Sequence, residues 1–458
     1  MSHTSDATGR DLSRPVEPST LYADHLQAAT ESALTTARHP GSAFAGAGED
    51  LLARLEAHID GVREELVELM LDLAEHPETA FEEYRSSKAI VDVLARHGIE
   101  AQLGAHGVET AIRAELAPRS GAGADGPTLA VLSEYDALPG IGHGCGHNVI
   151  AVMGLGAFLG LAKLAEEDSS AVPGRIVYLG TPAEEGHSGK EVMARHRAFD
   201  GLDAAVMAHG YGYDLADQLW LGRRTLTVDF HGRTAHASAQ PFMGRNALDA
   251  ASLMYQGIGL LRQQIPPTDR IHAILTSGGD RASIIPDLAR LEMYVRSPAP
   301  ATLRDLSSRI EDIARGAALM TGCGVTVSWD NHPPSLPVRT NEALTGRWVQ
   351  AQRRRGRDPL PRGVVSETIA ASTDFGNVSY RLPGLHPLIK VSDAEVALHT
   401  REFAQAAVSD RAKSAAADGA YGLAATLLDV LHDPELADAV SAEFEAAGGA
   451  IDVERYFS

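Results

Sequence analysis

Three short, continuously apolar runs constrain this chain most: TLAVLSEY at 128–135, GRIVYLGTP at 174–182 and DAAVMAHG at 203–210. Between them lie stretches of helical periodicity, VIAVMGLGAFLGLAKLAEE (149–167) and GKEVMARHRAF (189–199). Strands apolar on both faces that alternate with helices build a mostly parallel sheet covered by helices on each side. Ligands of such sheets bind beyond the carboxyl ends of the strands. All three runs end in polar residues.

The flanking segments set the domain plan. Residues 1–48 are rich in Ser, Thr, Ala, Gly and Asp, and only LYADHLQAATESAL (21–34) has helical spacing, which predicts a partly ordered extension. LLARLEAHIDGVREELVELMLDLAEHP (51–77) repeats apolar residues every three to four positions and stops at Pro77, the pattern of an amphipathic helix. A second such helix ends at Gly98. From about Thr225 the order becomes strand, helix, strand, strand, helix, strand, a βαββαβ unit. Its sheet has a free edge, which suits pairing with a second copy in a homodimer. After NHPPSLP (331–337) the chain resumes with helix, loop and strand, so the small unit reads as an insertion. The expected fold class is α/β: a mostly parallel sheet with helices on both faces plus an inserted βαββαβ ferredoxin-like lid and dimerisation domain. The expected division is an extension (1–48), a catalytic domain in two parts (49–222 and 335–440), the lid (223–334) and an acidic tail (441–458) that adds little.

Composition narrows the partners. A chain of 458 residues with 44% hydrophobic content can bury a large core and divide into two or three domains. A formal net charge of −21 argues against nucleic acid and anionic membrane surfaces, leaving small molecules or proteins. No uninterrupted apolar run approaches the roughly 20 residues of a membrane span, and no basic region with an apolar core opens the chain, so the expected location is cytoplasmic. There Cys145 and Cys323, the two cysteines, are free thiols.

At the strand ends stand Glu134 and Asp136, then Cys145 and His147 in the loop GHGCGHN, Glu184 and Glu185, and His209; near the C-terminus SDAEVALHT places His399 in another loop. Cys145, His147, Glu185, His209 and His399 offer one thiolate, one carboxylate and three imidazoles, all good ligands for zinc or a similar divalent ion. One ion takes about four ligands, so five with a bridging water suit two ions roughly 3.5–4 Å apart. Taken singly, Cys145 reads as a small buried hydrophobe, His209 as a strand cap and the paired glutamates as a solvated turn. Their coincidence at one end of one sheet favours a metal site. A thiol nucleophile at Cys145 with His147 as its base is the chief rival.

SEYDALPGIGHGCGHN, GTPAEEG, MAHG, GRTAHASAQPFMGRNALDA, IIPD followed by YVRSP, and ASTDFGNVSY with ALHT occur in order between about Leu51 and Asp433. Together they resemble the dinuclear metallopeptidases and amidohydrolases of aminoacylase and carboxypeptidase G type, whose catalytic domain is phosphorylase/hydrolase-like. Within that family the likeness is to the branch with a Cys-x-His metal motif. This branch holds indole-acetyl-amino-acid hydrolases, p-aminobenzoyl-glutamate hydrolases and small dipeptidases, and the motifs are nearest the last two. The resemblance implies two divalent ions per subunit, zinc first and manganese or cobalt as alternatives, on Cys145, His147, Glu185, His209 and His399. It implies that Glu184 is the general base toward a metal-bridging water, that Glu134 orients the metal site, and that His236 reaches the site of a partner protomer to hydrogen-bond the oxyanion. Asn246 and Arg296 match substrate-contact positions, with Arg296 suited to a carboxylate. The activity implied is hydrolysis of the amide bond of a dipeptide or an N-acyl or N-aroyl amino acid. Amide formation or transfer at the same site, and a catalytically silent binding protein, stay open as alternatives. Gly144 and Asn148 depart from the branch's usual Ala-Cys-Gly-His-Asp, and Ser283 stands where the family often has Asn.

Overall fold

The computed structural model describes residues 13–117, 126–368 and 370–457. Its strands in chain order are β1 (Ala101–Leu103), β2 (Ile112–Leu116), β3 (Thr128–Ser133), β4 (Arg175–Gly180), β5 (Ala204–Val206), β6 (His209–Tyr211), β7 (Gly222–His231), β8 (Arg270–Ser277), β9 (Leu288–Ser297), β10 (Gly324–Trp329), β11 (Gly384–Leu385) and β12 (Leu388–Lys390). The large sheet runs β1-β2-β4-β3-β5-β11, with β4, β3, β5 and β11 parallel and β2 and β1 added antiparallel at one edge. Leu129–Leu132 of β3 and Ile176–Leu179 of β4 are fully buried, as strands covered on both faces must be. Their register pairs Thr128 with Arg175 and Ser133 with Gly180, so the two strands end level and release their following loops side by side.

Helix His147–Glu167 packs on β3 from one side, against helices Glu49–Glu75 and Asp410–His432. It approaches closely because Gly154 has no side chain: a Cβ there would lie 2.4 Å from the Leu132 carbonyl oxygen. By length and composition alone this helix, with 21 residues and a mean hydropathy of 1.7, could cross a bilayer, although polar residues at both ends keep its apolar run shorter than a membrane span. Its residues His147 to Leu161 are all buried inside the protein, the position of a core helix.

The second sheet, β10-β7-β9-β8, is antiparallel throughout. Helices Ala247–Leu261 and Pro300–Thr321 cover one face, against which Leu226, Val228 and Phe230 of β7 and Leu291, Met293 and Val295 of β9 are buried. The alternate residues, among them Arg223, Glu292, Tyr294 and Arg296, stand on the opposite face.

Two terminal regions differ from expectation. Helix Pro434–Ala446 crosses the boundary assigned to an acidic tail and buries Leu436, Val440 and Phe444, a four-residue repeat that the surrounding acids obscure. Asn341 Nδ2 donates to the Val440 carbonyl (2.9 Å), and the Glu443 carboxylate accepts from the amides of Glu342 (2.6 Å) and Ala343 (3.1 Å). In the N-terminal extension, helix Leu21–Leu34 buries only Thr30. Residues just before 49 are anchored instead: Arg347 Nη1 donates to the Phe44 carbonyl (2.6 Å), and Asp429, paired with Arg347 at 2.7 Å, accepts from the Ala47 amide (2.8 Å). Residues 1–12 of the extension lie outside the described residues.

Candidate metal centre and substrate cleft

The loop after β3 turns at Gly146, whose left-handed backbone (φ 82°) starts helix His147–Glu167. His147 is therefore the first residue of that helix and not part of the loop, as the sequence suggested; a glycine N-cap leaves no Ser, Thr, Asp or Asn to mark the boundary. Cys145 sits just outside the helix N-terminus, where the positive end of the helix dipole favours a thiolate.

The loop after β4 carries Glu184 and Glu185 between left-handed residues, Ala183 (φ 60°), Gly186 (φ 79°) and Ser188 (φ 55°). Such backbone in non-glycine residues is held against strain by its surroundings. Here Glu83 accepts from the Ala183 amide (2.9 Å), Asp136 accepts from the Glu185 amide (2.9 Å), and Ser188 Oγ donates to the Pro333 carbonyl (2.9 Å). His209 begins β6, shortly after the end of β5. His399, also left-handed (φ 64°), is fixed by its amide donating to the Gly144 carbonyl at 2.8 Å.

These loops converge. Ligand atoms of Cys145, His147 and His209 lie within 4.8 Å of one another, as do those of Cys145, Glu185 and His399, and those of His147, Glu184 and Glu185. Cys145 Sγ is 3.6 Å from His209 Nε2, and His399 Nε2 is 3.5 Å from Glu185 Oε1. His147 Nε2 and Glu185 Oε1 are buried without a hydrogen-bond partner, although buried polar atoms are normally satisfied. Burial holds the His209 imidazole neutral, its pKa lowered to about 4, and pushes the Cys145 thiol up, with the Glu185 charge adding to it. Burial and the charges of Glu185, Glu134 and Asp374 push the Glu184 carboxyl well up. Crowded carboxylates, a neutral imidazole and orphaned ligand atoms fit divalent cations, with Cys145 shared by two three-residue sets.

His147 Nδ1 hydrogen-bonds to Asp136, which accepts, and not to Glu134. His147 Nδ1 lies 2.9 Å from the Asp136 carbonyl and 3.1 Å from its carboxylate, which turns Nε2 toward the ligand cluster. Burial opposes the charge on His147, but the Asp136 and Cys145 charges outweigh it and raise its pKa. Glu134 is 3.5 Å from His147 Nε2 and is engaged instead by Lys190, a fully buried lysine whose Nζ also donates to Asp374 at 2.7 Å. Sequence reasoning missed Lys190 and Asp374, although Asp374 lies in ASTDFGNVSY and Lys190 closely follows GTPAEEG, because a charge pair in the core is a tertiary property. His143 turns away, Nε2 bonding the Leu73 carbonyl at 3.1 Å, and Asn148 donates to the carbonyls of Met70 (3.3 Å) and Ala407 (3.0 Å).

The cluster floors a cleft of about 370 Å³ whose other walls include Leu138, Trp220, Arg223, Tyr294 and Arg296. Arg296 thus reaches the cleft. His236 and Asn246 do not line it. His236 is exposed, its Nδ1 accepting from the amides of Ser238 (3.3 Å) and Ala239 (3.2 Å). Asn246 caps helix Ala247–Leu261 by accepting from the Leu248 amide at 3.0 Å. A larger cavity, about 780 Å³ beside helix Glu49–Glu75, contains none of the candidate residues.

A covered, mostly parallel sheet with thiolate, imidazole and carboxylate ligands at its strand ends, facing a second sheet that offers arginine, defines a metallo-amidohydrolase. More particularly, the chain belongs to peptidase family M20/M25/M40, whose family model matches residues 130–416. It is 37% identical over 410 residues to the Xaa-Arg dipeptidase of Mus musculus, covering 89% of this chain and 95% of that protein. It is 35% identical over 415 residues to the Xaa-Arg dipeptidase of Homo sapiens, covering 88% of this chain and 95% of that protein. A component of the p-aminobenzoyl-glutamate hydrolase of Escherichia coli strain K12 is 31% identical over 314 residues, covering 64% of each. The fold is similar to the crystal structure of Bacillus subtilis YXEP, a dinuclear metal binding peptidase of the same family. That match has a TM-score of 0.61, 19% identity, and coverage of 81% of this chain and 99% of the other.

Proposed function

We propose that the protein hydrolyses the amide bond of a dipeptide or an N-acyl or N-aroyl amino acid with two divalent ions, zinc first and manganese or cobalt otherwise. Cys145, His147, Glu185, His209 and His399 would hold them. The observation that carries this reading is the pair of three-ligand sets sharing Cys145, with a further carboxylate, Glu184, within reach. The bound ions would polarise the scissile carbonyl and lower the pKa of a water toward about 7.

Glu184 takes a proton from the attacking water and returns it to the departing amine. Oxygen joins the acyl carbon as the C–N bond breaks, giving one carboxylate and one ammonium. A carboxylate serves both halves of that transfer, first as base and then as acid. Arg296 receives the substrate's α-carboxylate with its planar fork. The proposal includes a homodimer through the lid: β8 is an edge strand with Ile274 and Leu275 exposed, and His236 and Asn246 lie outside their own chain's cleft, free to complete a partner's. A cytoplasmic setting, proposed on the same footing, keeps the Cys145 thiol reduced.

Glu184→Gln tests the assignment. Metal content stays at the wild-type level while turnover of an N-acyl amino acid falls about 10²–10⁴-fold. Retained turnover would show that another group is the base.

A further inference from the structure

Four lysine or arginine side chains are buried among the described residues: Lys190, Arg223, Arg224 and Arg347. Lys190 pairs with Glu134 and Asp374, Arg224 with Asp330 at 2.7 Å, and Arg347 with Asp429 at 2.7 Å. Arg223 forms no ion pair among the described residues: its charge acts on Asp330, which Arg224 already holds, only at longer range, and its Nη2 donates to the neutral Ser188 Oγ at 2.9 Å. A buried charge left unpaired is strongly unfavourable, so this one is kept for something the chain itself does not supply.

Its neighbour compounds the imbalance. Arg223 and Arg296 are directly opposite each other on β7 and β9, an arrangement of like charges that weakens a sheet. Both guanidinium carbons lie 5.6 Å from the centre of the Tyr294 ring, and both side chains line the cleft. Arg296 Nε is buried without a hydrogen-bond partner. Among the described residues, the only acids on the cleft wall are Glu184 and Glu185, already used by the metal and proton chemistry. Apart from those two glutamates, the cleft lining offers two arginines and no acid. One substrate carboxylate satisfies one fork; the second fork is left over.

We propose that Arg223 and Arg296 act as a two-guanidinium clamp, Arg296 on the α-carboxylate and Arg223 on a second carboxylate in the side chain of the amino-acid half. The preferred substrates are then N-acyl or peptidyl derivatives of acidic amino acids, and derivatives of basic amino acids are rejected by charge. This deepens the amidohydrolase reading and rests on it.

The test uses the metal-loaded protein and four probes that share one acyl group: N-benzoyl-glutamate, N-benzoyl-glutamine, N-benzoyl-leucine and N-benzoyl-arginine. The expected kcat/KM for the glutamate derivative exceeds that for glutamine at least tenfold, mainly through KM, with arginine the poorest. Arg223→Gln collapses the glutamate-to-glutamine ratio, whereas Arg296→Gln lowers both members. A wild-type ratio near one, a preference for arginine, or an equal loss on both substrates in Arg223→Gln would overturn the clamp. Calorimetry on Glu184→Gln separates the two readings. At least tenfold tighter binding of N-benzoyl-glutamate than of N-benzoyl-glutamine supports the clamp even where no probe is cleaved, a result that would count against the hydrolase reading alone, and equal binding overturns the clamp.

Discussion

Two regions of buried charge, one beside the candidate ligands and one on the second sheet, are built differently. Beside the candidate metal ligands, Lys190 is enclosed by Glu134 and Asp374, and Asp136 is taken up by His147 and the Glu185 amide. Each of these charges has a partner, so that region is set before anything binds. On the second sheet, Arg224 is likewise closed, paired with Asp330 and stacked 4.3 Å over Trp329, while the adjacent Arg223 lines the cleft with no ion pair among the described residues. Successive residues of one strand point to opposite faces, which is how two neighbouring arginines come to have opposite tasks. The difference separates charge that holds the scaffold from charge kept open for a ligand.

Breaking the closed region has the largest effect. Lys190→Met leaves two buried carboxylates facing each other and lowers stability by about 3–5 kcal/mol, read as a drop in the urea midpoint of the metal-free protein. Arg224→Gln strands Asp330 and costs about 2–4 kcal/mol in the same assay. Arg223→Gln changes stability by less than about 1 kcal/mol, because the lost Ser188 contact is offset by relief of the like-charge pair. A loss as large as that of Arg224→Gln would make Arg223 a scaffold residue and erase the contrast.

Glu83, which steadies the strained Ala183 beneath the catalytic turn, gives the smallest effect, and it depends on pH. Burial, with the Asp136 charge adding, raises its carboxyl to about 7, against about 4.3 for an unfolded glutamate. Between those values the folded chain holds a proton that the unfolded chain has released. Stability therefore falls as pH rises from about 4.3 through 7. Glu83→Gln cannot ionise, so its melting temperature moves toward, or above, that of the wild type between about pH 5 and pH 8. A difference constant across that range would mean Glu83 is not raised.

The sequence carried the sheet well because it depends on local pattern, and the candidate ligands that the structure brings together stand where that pattern ends. Continuous apolar runs marked β3, β4 and β5, and Glu134, Glu184, Glu185 and His209 stand close to the ends of those runs. Long-range pairing was not legible. Nothing in GHSGK distinguishes a buried Lys190 from a solvated one, and RRT does not say which arginine meets Asp330. Asp136 was visible as a strand-end acid, but its precedence over Glu134 in orienting His147 depends on how helix His147–Glu167 docks. Helix Pro434–Ala446 was obscured because its buried apolar residues are outnumbered by acidic and small ones.

The most direct test of the central claim measures metal and activity in one sample. Elemental analysis of the active protein should give two divalent ions per chain. A chelator should remove both ions and the hydrolysis of an N-acyl amino acid together, and reloading should restore both. Cys145→Ser, which takes a ligand from both sets, should hold one ion or none. Activity that survives complete metal removal but is abolished by iodoacetamide would contradict the account and make Cys145 a nucleophile.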